Sequence, residues 1–259
     1  MLKELRITTI QSNLIWEDVE KNLENFKNKI DLIQGSTDII VLPEMFTTGF
    51  SMNPAKFGES MEGHTVSWMK KMASLSKAYI LGSIIIKENN NFFNRLLVVS
   101  YDGNIQYYDK KHLFAMADEN KYYHAGSKKL VFEFEGWKIC PLICYDLRFP
   151  VWSRNQNNYD LLVYVANWPE KRNHHWKTLL KARAIENQSY VVGVNRIGKD
   201  GNNIDYSGDT CVIDPMGHII STTELHKESI ETVIISKNEL EHIRKILPFS
   251  ADADQFLLT

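Results

Sequence analysis

The chain passes twice through the same succession of elements, and this repetition restricts its fold more than any other feature. In each half, helical stretches and a central apolar strand are accompanied by a hairpin. The central strands, at residues 38–43 and 159–165, lack the polar alternation of a half-exposed strand, which is typical of strands covered on both faces. We therefore predict an α/β fold in which two similar halves stack as a four-layer α-β-β-α sandwich.

Local patterns place the main helices and turns. Apolar residues recur at helical spacing from residue 16 to 34 and again from 174 to 187, where Trp176, Leu180 and Ile185 are predicted to face inward. A further helix is expected to begin near Val151, and residues 218–222 favour a strand. Residues 236–239 (SKNE) form a capping box that predicts the start of a last helix.

The domain organisation follows from the even composition of the 259 residues, which no linker or low-complexity run divides. Of these residues 44% are hydrophobic and 24% are charged, the proportions of a globular protein with a full-sized core. We predict a single domain over residues 1–259, with 249–259 as a C-terminal tail. The apolar residues 256–258 suit contact with a partner subunit, and a frayed terminus is equally compatible with them.

Charge and composition disfavour several classes of partner. A net charge of −2 gives no attraction to nucleic acid or to an anionic membrane, and no apolar run approaches the roughly 20 residues of a membrane span.

The first residues lead directly into a strand, so we expect no signal peptide. Three cysteines fit the reducing cytoplasm better than a disulfide framework. No histidine or cysteine spacing indicates a metal site, and we expect no cofactor.

Three ionisable residues directly follow apolar strands, at the edge where ligands bind in α/β folds. They are Glu44, Lys110 and Cys144. Each has an ordinary explanation when it is taken alone, because a buried cysteine can be a small core residue and the other two can be solvated loop residues. Together, however, they make up the set of groups that covalent acyl transfer requires.

The chemistry of the three groups is complementary. A thiol becomes a competent nucleophile only when a base or a cation helps it to ionise. A carboxylate can take the thiol proton and pass it to a leaving amine, and a fixed ammonium can stabilise the oxyanion formed on a carbonyl. A Cys–His pair has less support, because His174 and His175 point different ways on a helix and His112 lies close to Lys110 in the chain.

The segments around these residues resemble the signature segments of the nitrilase superfamily of carbon–nitrogen hydrolases. The resemblance extends from the first strand to the last helix, in the order of the family. It is carried by residues 42–46 (LPEMF), 108–114 (YDKKHLF), 143–150 (ICYDLRFP), 181–188 (KARAIENQ), 194–198 (VNRIG) and 214–217 (DPMG).

This resemblance implies that an amide is hydrolysed through a thioester, without a metal. Glu44 would be the general base, Lys110 the stabiliser of the oxyanion and Cys144 the nucleophile. The backbone N–H of Tyr145 would be the second oxyanion donor. The second glutamate of the family falls on Glu119, which would hold the lysine and help to position the leaving group.

Some positions leave the assignment open or depart from the pattern. Asp118 is adjacent to Glu119, so the second acidic group could be displaced by one residue. Asp109 stands where many members of the family have a basic residue, and Lys111 stands where others often have an apolar one. The choice of Lys110 over Lys111 then rests on its spacing to residues 112–114.

Within the family, residues 43–50 (PEMFTTGF), 116–126 (MADENKYYHAG) and 166–169 (ANWP) resemble the omega-amidases, which hydrolyse the terminal amide of 2-oxoglutaramate and 2-oxosuccinamate. Such a substrate needs a cation for its carboxylate, and Arg148 is the best-placed candidate, although it could instead pair with a carboxylate of the protein. Aromatic side chains near the catalytic segments could form the walls, or could be core residues. The predicted substrate-binding residues are Phe46, Phe114, Tyr145, Arg148, Asn167 and Trp168.

The sequence also allows other functions. The same groups could serve a nitrilase, an N-carbamoyl amine hydrolase or a deaminated glutathione amidase, and an inactive binding module could keep the fold. The resemblance also implies at least a homodimer, formed by the faces on which the helices lie.

Overall fold

The computed structural model describes residues 2–156 and 158–257, in which helices flank two stacked β-sheets. The strands are β1 Glu4–Gln11, β2 Ile39–Val41, β3 Tyr79–Glu88, β4 Asn91–Val99, β5 Ile105–Asp109, β6 Phe132–Phe134, β7 Trp137–Ile143, β8 Leu161–Ala166, β9 Tyr190–Asn195, β10 Ile197–Lys199, β11 Asp205–Ser207, β12 Cys211–Ile213 and β13 Ser229–Ser236. The α-helices are α1 Val19–Asp31, α2 Pro54–Phe57, α3 His64–Ser76, α4 Glu119–Tyr122, α5 Pro150–Ser153, α6 Asn173–Asn187 and α7 Lys237–Ile246. Short 3₁₀ helices span Ala115–Ala117, Cys144–Arg148, Glu170–Arg172 and Phe249–Asp252.

Both large sheets combine parallel and antiparallel strands. The first has the order β13-β1-β2-β3-β4-β5, and the second has the order β12-β9-β8-β7-β6. The pairs β1–β2 and β2–β3 are parallel in the first sheet, as are β7–β8 and β8–β9 in the second. The carboxyl ends of parallel strands meet at one edge of a sheet, so the loops after β2, β7 and β8 can build a common site.

The hydrophobic core is divided between the layers. One cluster joins the inner faces of the two sheets and continues to α6 and α7, to which it is linked by Trp176, Leu180 and Leu240. A second cluster lies between the outer face of the first sheet and the helices α1 and α3, where Phe26 and Met69 are completely buried. The predicted four-layer α-β-β-α arrangement is confirmed.

Local signals in the sequence explain where several elements begin. The carboxylate of Asp18 accepts a hydrogen bond from the backbone N–H of Lys21 and caps α1. The hydroxyl of Ser236 accepts one from the N–H of Glu239, so α7 begins where the sequence predicts. The predicted capping box is only half formed, because the N–H of Ser236 donates to the hydroxyl of Tyr190, which in turn donates to the carboxylate of Glu239. The 214–217 turn closes through a hydrogen bond from the N–H of Gly217 to the carbonyl of Asp214.

Three local predictions are wrong or incomplete. The segment 218–222 is not a strand and keeps only one bridge, between Ile219 and Ile213. The helix near Val151 is a single turn. Ile185 is 47% exposed, because α6 instead turns Arg183 inward, where its guanidinium donates to the carbonyl of Leu147.

The structure also shows the state of the cysteines and the character of the helices. Cys140, Cys144 and Cys211 are all free and buried. Across the parts of the chain that are described, none of the helices combines the length and apolar character needed to cross a membrane.

Candidate active site

Cys144 follows β7 directly, where the strand gives way to a 3₁₀ turn. Its φ of +42° is a left-handed conformation that residues other than glycine rarely adopt. Such strain tends to cluster at functional sites, where the surrounding structure holds it in place. The residue is 9% exposed and lines a cavity of about 600 Å³. The turn therefore presents a thiol to an open cavity.

The buried carboxylate of Asp146 holds this turn in place. Its Oδ2 accepts hydrogen bonds from the N–H of Ile143 at 3.0 Å and from the hydroxyl of Tyr108 at 2.8 Å. Its Oδ1 accepts from the N–H of His112 at 3.0 Å and lies 2.8 Å from the Nδ1 atom of the same residue. Asp146 thus ties the end of β7 to the segment that follows β5, which carries Lys110.

Replacing Asp146 by asparagine is expected to lower the free energy of unfolding by about 1–3 kcal/mol, because the amide places donors where buried donors point. The turnover number should fall as well, since the turn that carries Cys144 loses its anchor. Urea denaturation and steady-state kinetics measure the two effects. Tyr108→Phe is the comparison that keeps the carboxylate: it removes one hydrogen bond to Asp146, and it also takes away the acceptor of the Lys111 N–H and of the Trp152 indole N–H. Unchanged stability in Asp146→Asn would contradict this role.

A cluster of buried charges lies at the bottom of the cavity. The Nζ atom of Lys110 is 2.8 Å from Oε1 of Glu44 and 3.0 Å from both carboxylate oxygens of Glu119. All three residues are completely buried. Asn94 bridges the two carboxylates, donating to Glu44 at 2.8 Å and to Glu119 at 3.2 Å. The lysine is therefore held between two carboxylates in one fixed position.

The ends of β2 and β8 are fastened to each other at Glu44. The backbone N–H of Asn167 donates to Oε2 of Glu44 at 2.8 Å, and its side-chain amide donates to the carbonyl of Glu44 at 2.6 Å. Since β2 belongs to the first sheet and β8 to the second, this site exists only because the two sheets stack. The carboxylate is oriented by groups from both halves of the chain.

The geometry distinguishes the neighbouring alternatives left open by the sequence. Glu119 contacts the lysine and accepts a hydrogen bond from the N–H of Phe114 at 2.6 Å, whereas the side chain of Asp118 is 55% exposed and pairs with Lys121. Lys111 points elsewhere, with its ammonium 5.6 Å from the centre of the Trp152 ring. Glu119 and Lys110 are thus the members of each pair that the fold brings together with Glu44.

The unexpected Asp109 has its own buried partner. The guanidinium of Arg95 binds its carboxylate through two hydrogen bonds, of 2.7 and 2.9 Å. The same guanidinium stacks on the ring of Tyr107, at 3.9 Å from its centre. The acidic residue before Lys110 therefore fixes the end of β5 and does not enter the cavity.

The surroundings shift the proton affinities of the clustered groups. Burial raises the pKa of the Cys144 thiol well above its ordinary value, and the charge of Glu44 raises it further. Burial alone would lower the pKa of Lys110, but the charges of Glu119 and Glu44 outweigh it and raise this pKa. At neutral pH the lysine is therefore an ammonium and the thiol is protonated, so a nucleophilic thiolate requires a base that removes the proton.

The cavity walls are aromatic, and two arginines reach them. The guanidinium of Arg148 lies 4.8 Å from the centre of the Trp168 ring, and that of Arg172 lies 5.4 Å from the centre of the Phe114 ring. Phe114 also meets the ring of Tyr145 edge-on, at 4.9 Å between centres. Arg148 is the predicted cation, whereas nothing in the sequence pointed to Arg172.

Five of the six predicted substrate-binding residues line the cavity, namely Phe114, Tyr145, Arg148, Asn167 and Trp168. Phe46 does not. It is completely buried and packs against Phe26 and Trp68, at 5.4 and 5.9 Å between ring centres. Its place at the wall is taken by Phe50, whose ring centre is 5.0 Å from Nζ of Lys110.

Other contributors were missed by the sequence analysis. Asn94 carried only a weak signal, as one of three polar residues in β4. Ile204 and Tyr206 line the cavity from the β10–β11 ribbon, which is too short to show a recognisable period.

Comparison with known proteins places the chain among enzymes. The carbon-nitrogen hydrolase family model matches residues 6–245. The omega-amidase YafV of Escherichia coli K12 is 47% identical over 254 residues, covering 98% of both chains. The 2-oxoglutaramate amidase of Bacillus subtilis is 33% identical over 251 residues, covering 95% of this chain and 96% of the other.

A solved structure agrees with this placement. The crystal structure of XC1258 from Xanthomonas campestris, a CN-hydrolase superfamily protein with an arsenic adduct in its active site, covers 100% of both chains with a TM-score of 0.97 and 41% identity. The match of the family model over most of the chain and the identity to full-length relatives lead to one conclusion. This chain belongs to the carbon-nitrogen hydrolase family.

Proposed function

We propose that this chain is an omega-amidase, which hydrolyses the terminal amide of short 2-oxo dicarboxylic acid monoamides such as 2-oxoglutaramate and 2-oxosuccinamate. The proposal is supported mainly by one observation: the Cys144 thiol shares a cavity with Glu44, Lys110 and Arg148, and Glu119 pairs with the lysine. The names of the relatives, YafV and the 2-oxoglutaramate amidase, point to the same activity.

In the proposed mechanism, Glu44 takes the proton of the Cys144 thiol while the sulfur attacks the amide carbon. The C–S bond forms, and the negative charge moves to the carbonyl oxygen. The ammonium of Lys110 and the backbone N–H of Tyr145 stabilise this oxyanion. Because the thiol is protonated at rest, transfer of its proton to Glu44 accompanies the attack.

The second half of the reaction returns the proton. The C–N bond breaks as Glu44 gives its proton to the nitrogen, so that ammonia leaves and a thioester remains. Glu44 then takes a proton from a water molecule, whose oxygen attacks the thioester carbon. The C–S bond breaks, the acid is released, and the thiolate recovers a proton from Glu44. No group other than Glu44 is needed to move protons.

Arg148 is proposed to bind the carboxylate at the far end of the substrate. Its guanidinium lines the cavity, stacks on Trp168 and donates to Nδ1 of His175 at 3.1 Å. Among residues 2–156 and 158–257 no carboxylate pairs with it. An arginine fork of this kind can bind a carboxylate through two parallel hydrogen bonds.

Release of ammonia from several amides tests the proposed function. We expect the purified chain to hydrolyse 2-oxoglutaramate and 2-oxosuccinamate with a higher kcat/KM than an N-carbamoyl amine, a nitrile or deaminated glutathione. The absence of turnover on every 2-oxo amide, together with turnover on one of the other substrates, would contradict the omega-amidase assignment.

Glu119→Gln is expected to lower kcat about 100-fold or more, since it removes a charge that positions the oxyanion-stabilising lysine. The amide can no longer accept from Lys110 and Phe114 with two equivalent oxygens. Steady-state kinetics with 2-oxoglutaramate measures the loss. Asp118→Asn is the matched control, because the side chain of Asp118 is 55% exposed and pairs with Lys121. An equal loss in both variants would argue against a specific role for Glu119.

We further propose that the chain forms a homodimer and works in the cytoplasm. An exposed apolar patch consists of Ile185 on α6 with Met216, Ile219 and Ile220 of the neighbouring turn, which are 38–47% exposed. In the tail, Phe249 is 54% exposed and Leu257 is 93% exposed. The end of the predicted apolar run, Leu258, lies outside the described residues. Sedimentation velocity tests the dimer.

The proposed location in the cytoplasm is supported by the three unbridged cysteines, which are typical of a reducing compartment.

A further inference from the structure

Three cationic side chains line the cavity, and their charges differ in availability. The charge of Lys110 is already matched by two carboxylates. Arg148 donates to the imidazole of His175 at 3.1 Å, and since an arginine can only donate, that nitrogen must be an unprotonated acceptor. The side chain of Arg172 has no hydrogen-bonding or ion-pairing partner among residues 2–156 and 158–257. Both guanidinium groups thus keep their full positive charge.

Three carboxylates that line the cavity differ from the two arginines, because each already has a hydrogen-bonding or ion-pairing partner. The carboxylate of Asp200 accepts from the Tyr206 hydroxyl and from two backbone N–H groups. Glu17 accepts from the hydroxyl of Ser51 at 2.6 Å, and Asp118 pairs with Lys121. Each of these carboxylates already has a hydrogen-bond donor. The groups around the cavity that remain open to a ligand are therefore the cationic guanidinium groups, which bind an anion.

The two arginines belong to one aromatic framework. Trp168 supports Arg148 with its ring, while its indole N–H donates to the carbonyl of Arg172 at 2.8 Å. Phe114 supports the guanidinium of Arg172 and meets the ring of Tyr145. Stacking on aromatic rings orients a guanidinium without neutralising it. The framework therefore fixes two charged forks at the same cavity.

We propose that Arg172 is a second specificity-determining residue, which acts with Arg148 as a two-arginine clamp on the 2-oxo carboxylate end of the substrate. This inference rests on the proposed function and names the part of the substrate that the site recognises. A 2-oxo carboxylate presents three acceptor oxygens side by side, and one guanidinium fork pairs with only two of them. A second fork accounts for the third oxygen.

Kinetics of Arg172→Met on charged and neutral amides tests the clamp. We expect KM for 2-oxoglutaramate to rise about 10- to 100-fold, as for a lost charge-assisted hydrogen bond, with a smaller change in kcat because the contact exists before and during reaction. Hydrolysis of butanamide, which has no carboxylate, should be unchanged. Arg172→Lys should recover part of the affinity. Lys171→Met, at the exposed adjacent position, is the matched control and should behave like the wild type.

A pair of alkylating reagents gives a readout that needs no turnover. The Cys144 sulfur displaces iodide from the CH₂ group of either reagent as Glu44 takes the thiol proton, and it gains a carboxymethyl group from iodoacetate or a carbamoylmethyl group from iodoacetamide. Only iodoacetate carries a carboxylate. We expect Arg172→Met to slow the modification of Cys144 by iodoacetate about 10-fold or more and to leave the rate with iodoacetamide unchanged. The rates are measured by mass spectrometry of the peptide that contains Cys144.

The outcomes separate the clamp from the proposed function. If Arg172→Met slows charged and neutral reagents equally, or changes neither, the clamp is wrong. If the wild type prefers monoamides of dicarboxylic acids without the 2-oxo group to 2-oxo amides and still depends on Arg172 for them, the omega-amidase assignment fails while a carboxylate clamp stands. If 2-oxo amides are good substrates and Arg172→Met leaves their KM unchanged, the assignment stands and the clamp fails.

Discussion

Cys144→Ala is expected to abolish amide hydrolysis, with a fall in kcat of at least about four orders of magnitude, because Cys144 is the one cysteine among the described residues that lines the cavity. The fold should survive. No hydrogen bond of the Glu44–Lys110–Glu119 cluster passes through the sulfur atom, and the residue borders an open cavity, so truncation leaves little new void. Ammonia release measures the activity, and thermal unfolding verifies that the variant is folded.

The other two cysteines provide matched controls for this prediction. Cys140 and Cys211 are free and buried, and burial raises the pKa of each thiol to about 12. Cys140→Ala and Cys211→Ala should therefore keep wild-type turnover per folded molecule, apart from some loss of stability. Iodoacetamide should label one site in these variants and none in Cys144→Ala. Substantial turnover by Cys144→Ala would exclude the thioester mechanism.

The candidate residues Cys144, Glu44 and Lys110 could be predicted from the sequence because each stands directly after an apolar strand. Such positions are visible in the local pattern, and the side chains that occupy them are chemically distinctive. Their mutual distances could not be predicted in the same way, because Glu44 and Cys144 come from different sheets. Glu44 and Lys110 follow β2 and β5 of the same sheet, and their 2.8 Å contact depends on the strand order, which places only β3 and β4 between them.

The walls of the cavity were less predictable, and Phe46 explains why. The sequence places Phe46 and Phe50 in the same loop, and both are aromatic residues close to Glu44. Met45 adopts a left-handed φ of +42°, and the chain then directs Phe46 towards α1 and α3, while Phe50 reaches the cavity. A backbone reversal at a residue other than glycine leaves no periodic signal, so the pattern could not distinguish the two rings.

The partner of Asp109 is a second feature that could not be predicted from the sequence. Its departure from the family pattern was visible, but its partner Arg95 lies 14 residues earlier in the chain. The two residues face each other only because β4 and β5 pair in antiparallel register. Pairs of this kind depend on the exact alignment of strands, which short apolar runs do not determine.

Lys110→Met is expected to remove activity and also to destabilise the fold by about 3–5 kcal/mol, as when one partner of a buried ion pair is lost. Glu44 and Glu119 would then face each other as buried carboxylates without a cation. Even with the lysine present, burial and the charge of Glu44 raise the pKa of Glu119. Without it, at least one of the two must take up a proton for the chain to stay folded.

The pH dependence of this loss has a definite sign. A carboxyl group whose pKa is raised in the folded state binds its proton more tightly there than in the unfolded chain. Little stability is lost below the unfolded glutamate pKa of about 4.3, and the loss grows as pH rises towards the folded pKa. Urea denaturation of Lys110→Met should therefore show a larger deficit against the wild type at pH 8 than at pH 5.

Two further variants test whether the buried carboxylates cause this deficit. Lys111→Met removes the adjacent lysine, which has no ion pair within the described part of the chain, so its stability should stay close to that of the wild type. Adding Glu119→Gln to Lys110→Met removes one of the stranded charges and should recover part of the stability at pH 8. If the deficit is the same at both pH values and Glu119→Gln does not reduce it, the loss comes from packing around the lysine side chain, and the cluster is not held together by its charges.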